Sequence, residues 1–209
     1  MHISELLTQR RSTRHFDANA SIATETLTQL LDTASRAPSS NNAQPWRFMV
    51  ITEQALREKL LPIAFNQQQV MTASAIIVVL ADREAYEVEN LTRIHQEEYK
   101  EGCFNAEIRD FLIQAAVGFY QPFQETDTLK SIGMDIGLFA MSFMLVAEEA
   151  GWQTCPMSGY QPTLLREAFA IPHRYIDLMM IAIGKGIQPG HRTLRRPTTQ
   201  LIGWNALPE

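Results

Sequence analysis

Cysteine is scarce in this chain. There are two in 209 residues, Cys103 and Cys155, far apart and outside any C-x-x-C pattern. That leaves no disulfide framework to expect and suits a reducing cytosol in which thiols stay free. Metal-ligand spacing is missing as well. The five histidines, at 2, 15, 95, 173 and 191, keep no ligand spacing with one another or with cysteine. No G-x-S-x-G elbow or Walker A loop occurs, so neither a hydrolase nucleophile nor a nucleotide P-loop is indicated. Gly184-Lys185-Gly186 lacks the third glycine of a dinucleotide fingerprint, and prolines rather than a helix follow it. Runs of Lys and Arg interleaved with aromatics are absent. With a net charge of −5, this argues against a nucleic-acid partner. Long hydrophobic runs are absent too. Ala75–Ala81 is far too short to span a bilayer, and residues 2–11 lack the apolar core of a signal peptide. The expectation is a soluble cytoplasmic protein with no membrane partner.

What is present is ordinary in bulk: 45% hydrophobic and 20% charged residues. A chain of this length is expected to fold as one domain, 1–209, around a sizeable core. The spacing predicts helices over 2–9, 24–37, 53–64, 84–101, 106–123, 127–150 and 162–169. Pro38 stops the second, Thr52 is the expected cap of the third, and Gly151 ends the long one. Helix 106–123 carries an aromatic stripe that reads as core. Helix 127–150 is apolar nearly all round, as in a core or a subunit interface. Strands are expected at 47–52, 75–81, 152–155 and 175–183, the second buried on both faces. This order describes an α+β layered domain. The tail, 184–209, keeps Ile202 and Trp204 near its end, which points to its wrapping over something, such as a second subunit.

Chemistry-bearing residues are scattered. Arg10-Arg11-Ser12-Thr13-Arg14 reads either as a solvated patch or as an anion-binding turn, since arginine presents a planar fork of donors to phosphate. Ala37 to Phe48 brackets polar side chains between Pro38 and Pro45. Taken alone it is a turn whose Ser and Asn side chains satisfy their own backbone; beside a strand it could equally hold a polar ligand. Amides at Asn66–Gln69 and the turn Pro156-Met157-Ser158-Gly159 could edge a ring.

Arg10-Arg11-Ser12-x-Arg14-x-Phe16 followed by Ala37-Pro38-Ser39-Ser40-x-Asn42-x-Gln44-Pro45-Trp46 resembles the nitroreductase family of flavin enzymes. Asn66-x-x-Gln69-Val70, the long helix, Cys155-Pro156-Met157-x-Gly159 and Arg195-Arg196-Pro197 fall in the family's order. The resemblance implies a three-layer α-β-α sandwich around a mostly antiparallel sheet, with the C-terminal tail exchanged in a homodimer. It implies non-covalent FMN, NAD(P)H as donor, and nitroaromatic or quinone acceptors reduced by hydride passing through flavin N5 in a two-step ping-pong. By carry-over Arg10, Ser12 and Arg195 would hold the phosphate, and Arg11 would lie along the ribityl chain. Arg14 would give electrostatic support near N1 and O2. Asn66 and Gln69 would meet the pyrimidine edge, and the turn at Pro156, Met157, Ser158 and Gly159 would offer backbone N–H groups to N5 and O4. Pro38, Ser39, Ser40 and Asn42 would come from the other subunit, and Phe119 and Phe123 would touch substrate. No side chain is expected to act as nucleophile or base. Two positions depart from the pattern: Gln69 stands where some relatives carry lysine, and Thr193 where many carry a basic residue. Arg192 or Arg196 would then compensate. Other flavin chemistry on the same fold, such as dehalogenation or an oxygen reaction consuming flavin, stays open. So does a non-catalytic FMN-binding or regulatory protein.

Overall fold

The computed structural model describes residues 2–207; Met1, Pro208 and Glu209, the ends of the expected domain and tail, lie outside the described residues. Four strands form one antiparallel sheet in the order β1 (Trp46–Ile51), β2 (Ala75–Asp82), β4 (Tyr175–Gly184), β3 (Gln153–Met157). All eight residues of β2 are buried, as the continuous apolar run Ala75–Ala81 with its β-branched centre Ile76–Val79 leads one to expect. Side chains alternate across a strand. Ala75, Ile77, Val79 and Ala81 therefore join one core with Ile181 and Ile183, while Ile76, Val78 and Leu80 join a second with Met180 and Ala182.

Each core has its own helical cover. The first is closed by α2 (Thr24–Ala34) and α7 (Glu125–Glu149), through Leu27, Leu30, Ile132, Ile136, Phe139 and Phe143. The second is closed by α3 (Gln54–Ile63), α4 (Gln69–Thr72) and α8 (Pro162–Ala168), through Leu60, Ile63, Val70 and Leu165. The expected three layers follow from this parity. Gly151, at φ +75, turns the chain out of α7 into β3. By length and composition alone α7 could cross a bilayer, yet one face of it packs on the sheet. Its opposite face leaves Leu129, Met134 and Leu138 exposed, and α1 (Ile3–Gln9) beside it leaves Ile3 and Leu7 exposed.

Several sequence expectations shift. α2 ends at Ala34, with Ser35 as its C-cap, so the chain leaves the helix before Pro38 exerts its effect. Thr52 does not cap α3; Glu53 takes that position without a side-chain bond. The charged helix divides into a 3₁₀ turn, Arg83–Tyr86, and α5 (Val88–Lys100), because Glu87 is extended between them. α6 (Ala106–Tyr120) stops before Phe123 and buries only Ala116. Its aromatic stripe is therefore not core in this chain, and Phe111 stands 67% exposed. All of 191–207 is exposed, including Trp204 at 84%.

Candidate cofactor site

Arg10 leaves α1 at φ −52, ψ 130, so the chain extends instead of coiling further. Ser12 then bridges Thr154 in parallel, and the Thr13 N–H donates to the Thr154 carbonyl at 3.0 Å. This seats the arginine-rich segment along the outer edge of β3. Gly190 brings the tail onto the same segment. A Cβ there would lie 2.7 Å from Arg11 Cβ and from the Ser12 carbonyl oxygen, so only glycine permits the approach. The result is a cavity of about 220 Å³ lined by Arg10, Arg11, Ser12, Arg14, His191, Thr193 and Arg195.

The donors around this cavity are not all engaged. Arg11 donates to the carbonyls of Thr8 and Arg10, and Arg195 to Thr193 Oγ1 at 2.7 Å. Arg10 Nε and Nη1 are buried with no partner among the described residues. Glu148 lies close enough to feel Arg10, but burial holds its carboxyl above the usual range, with Arg10 only opposing that shift. An unpaired buried guanidinium costs free energy until an anion meets it. Four arginines and a serine around one small cavity are the donor set a phosphate dianion takes. Arg192 and Arg196 do not line it.

A second group lies toward the other end of β3. α3 closes with Phe65 and Asn66 both left-handed, at φ 53 and 54, and the Asn66 N–H returns to the Leu61 carbonyl at 2.9 Å. Gln67 then donates from Nε2 to the carbonyls of Ala64 at 3.0 Å and Gly159 at 2.7 Å. Residues 66–69 and the 156–159 turn thus meet as the sequence reading expects. The Ser158 and Gly159 N–H groups donate to no carbonyl among the described residues. Pro156 has no N–H to offer, so the donors expected of this turn fall to the residues after it. Arg14 belongs between the two groups. Burial raises the Cys155 thiol of β3, and the nearby charges of Arg14 and Arg10 oppose that rise.

The Ser39–Asn42 loop lies elsewhere. The Ser40 N–H and hydroxyl donate to Asp135 of α7 at 3.0 and 3.2 Å, and Tyr86 donates to the same carboxylate at 2.7 Å. Asn41 donates to the Tyr120 hydroxyl, and Asn42 to Glu98, whose other oxygen lies 2.7 Å from His95 Nδ1. This backing holds Asn41, Asn42 and Gln44 at φ 50, 53 and 46, a strained series for residues other than glycine. Asp135 and Glu148 stand roughly 20 Å apart along α7, at 1.5 Å per residue. Within one chain the loop therefore does not reach the arginine cavity. Phe119 and Phe123 cluster with Tyr120, ring centroids 5.0 Å apart, on the loop's side of the molecule. Sequence reasoning singled out the Asn66–Gln69 amides, Gln67 among them, but missed Phe65 and His191 at these sites. Their roles come from left-handed backbone and from contacts distant in sequence, which no local pattern announces.

The family profile described as the Nitroreductase family matches residues 7–185. Two Bacillus subtilis (strain 168) proteins provisionally named NAD(P)H nitroreductases are similar over almost their whole length. YodC is 34% identical over 200 residues, covering 96% of this chain and 97% of its own. YdgI is 36% identical over 202 residues, covering 96% of both. Among solved structures, an Exiguobacterium sibiricum 255-15 protein provisionally named a nitroreductase, in complex with FMN, superposes with a TM-score of 0.91. It is 37% identical and covers 98% of this chain and 97% of its own. The CLA biosynthesis enone reductase of Lactiplantibacillus plantarum is 31% identical over 207 residues, covering 95% of this chain and 92% of its own. A family profile spanning most of the sequence, and relatives more than 30% identical along nearly all of it, show that this chain belongs to the nitroreductase family.

Proposed function

We propose that the chain is an FMN-dependent oxidoreductase that passes hydride from NAD(P)H to nitroaromatic or quinone acceptors in two half-reactions at one site. The observation that carries this is Arg10, whose Nε and Nη1 are buried without a partner among the described residues, beside a cavity that it lines with Arg11, Ser12, Arg14 and Arg195. That donor set fits the phosphate end of FMN. The open N–H groups of Ser158 and Gly159 fit the acceptor atoms of its ring. Bound FMN would supply the two-electron chemistry, which no side chain here offers.

The protein's part is binding, orientation and charge. Arg10, Ser12 and Arg195 hold the phosphate and Arg11 follows the ribityl chain. Arg14 sets positive charge beside the pyrimidine ring, where negative charge gathers on reduction. Asn66 and Gln69 meet the pyrimidine edge, and the turn at Pro156, Met157, Ser158 and Gly159 lies along N5 and O4. Pro38, Ser39, Ser40 and Asn42 complete the site from a second copy, since one chain keeps them far from the arginines. Phe119 and Phe123 border the acceptor there. A homodimer also accounts for the apolar outer faces of α1 and α7 and for the exposed tail. Residues 1–209 form one FMN-binding unit whose tail, from 184 on, crosses to the partner. Two free thiols and NAD(P)H as donor suit the cytoplasm.

Anaerobic titration of the protein with NADH and NADPH tests this directly. Flavin bleaching at one equivalent supports the reading, and a protein that takes up no FMN ends it. Steady-state rates at fixed acceptor levels should give parallel double-reciprocal lines, while intersecting lines would rule out a shared site. Similarity to an enone reductase favours a second acceptor class, alkenes conjugated to a carbonyl.

A further inference from the structure

The amides of Gln67 and Gln69 form an ordered pair. Gln67 Nε2 lies 3.0 Å from the Ala64 carbonyl oxygen and 2.7 Å from that of Gly159. Carbonyls only accept, so this end of the amide must be the NH₂. The Gln67 oxygen is thereby turned the other way, where it accepts from Gln69 Nε2 at 2.9 Å. Reversing either amide would set oxygen against oxygen or nitrogen against nitrogen. Gln69 is only 4% exposed, its NH₂ is engaged, and its carbonyl oxygen accepts no hydrogen bond from the described residues. Two backbone carbonyls thus decide, through Gln67, which end of Gln69 stays open.

We propose that Gln67 is a positioning residue that locks the Gln69 amide with its oxygen open, so the site presents an acceptor and not a donor to the cofactor's ring edge. This rests on the FMN reading above. An acceptor pairs with a ring N–H but gives no support to negative charge gained on reduction. A free Gln69 could rotate and donate, and a donor to a charged acceptor is the stronger bond. Gln67 therefore keeps the preference for reduced over oxidised FMN low, and Arg14 is left as the ring's nearby source of positive charge.

The test is the ratio of dissociation constants for oxidised and dithionite-reduced FMN, measured on the full chain under anaerobic conditions. Gln67→Met keeps the volume and removes both hydrogen-bonding ends. It should shift the ratio toward reduced FMN by about tenfold, the size of one charge-assisted bond. In a Gln69→Leu background Gln67→Met should change nothing. Equal weakening of both redox forms by Gln67→Met, or a shift that survives in the Gln69→Leu background, would overturn the assignment while leaving FMN binding intact. Failure of the unmodified protein to bind either form would remove the functional reading together with this one.

Discussion

Arg10 illustrates how one side chain acquires a role from its surroundings. In isolation it is one of several arginines at the end of a short helix. In the fold two of its nitrogens are sealed from water with no partner among the described residues, and burial raises the carboxyl of nearby Glu148. Such a group favours an incoming anion because its desolvation has already occurred on folding. Arg10→Gln should weaken FMN binding about 10- to 100-fold, the equivalent of one or two charge-assisted hydrogen bonds, as read by flavin fluorescence titration. Gly190 acts at the same scale through what it lacks. A side chain there would push the tail off the Arg11–Ser12 backbone and take Arg195 out of the cavity. Gly190→Val should therefore weaken FMN binding without unfolding the sheet, seen as a raised dissociation constant beside an unchanged far-UV spectrum.

Among the elements, three strand ends are clasped by one acid. Asp82, at the end of β2 and 1% exposed, accepts from Arg47 of β1 at 3.0 Å and from two nitrogens of Arg174, just before β4, at 2.7 Å. Burial alone would raise its carboxyl. The Arg174 hydrogen bonds, the Glu84 N–H and the two positive charges outweigh that and hold it below the ordinary carboxylate value. A depressed carboxylate contributes stability above its unfolded pKa and loses it as pH falls through the folded one. The clasp should therefore persist at neutral and mildly acid pH and give way only below the ordinary carboxylate range. Asp82→Ala should lower stability at pH 7, since it removes the buried acceptor shared by Arg47, Arg174 and the Glu84 N–H, and the deficit should shrink in strong acid. Chemical denaturation at several pH values reads both effects.

Much of this level was legible beforehand. β2 carries the continuous apolar run Ala75–Ala81 and α7 an unbroken helical period, so local pattern and burial agree. α6 was not. Its aromatic spacing is that of a core helix, yet Ile108, Phe111 and Phe119 face outward. Periodicity reports that a face is apolar and says nothing of what will cover it.

For the whole molecule, the question is what closes the site. The Ser39–Asn42 loop lies against the middle of α7 and the arginine cavity beside its C-terminal end, and an apolar surface runs along that helix's outer side. A second copy seated on this surface would unite the two. Leu138→Lys, at an exposed position away from the cavity, should dissociate such a dimer and release FMN together with it. Sedimentation velocity alongside flavin content checks the coupling. A monomer that keeps its flavin, or an unmodified chain that sediments as a monomer, would separate the loop from the site.

By itself the amino-acid order determined the layers, because burial on both faces of β2 and one face of α7 is written in local periodicity. It also determined the donor types, since arginine forks and amide ends carry their chemistry wherever they lie. Tertiary structure alone decided which donors remain open. The unpartnered nitrogens of Arg10 and the direction of the Gln69 amide depend on carbonyls and carboxylates brought together from remote segments, and no neighbour in sequence specifies them.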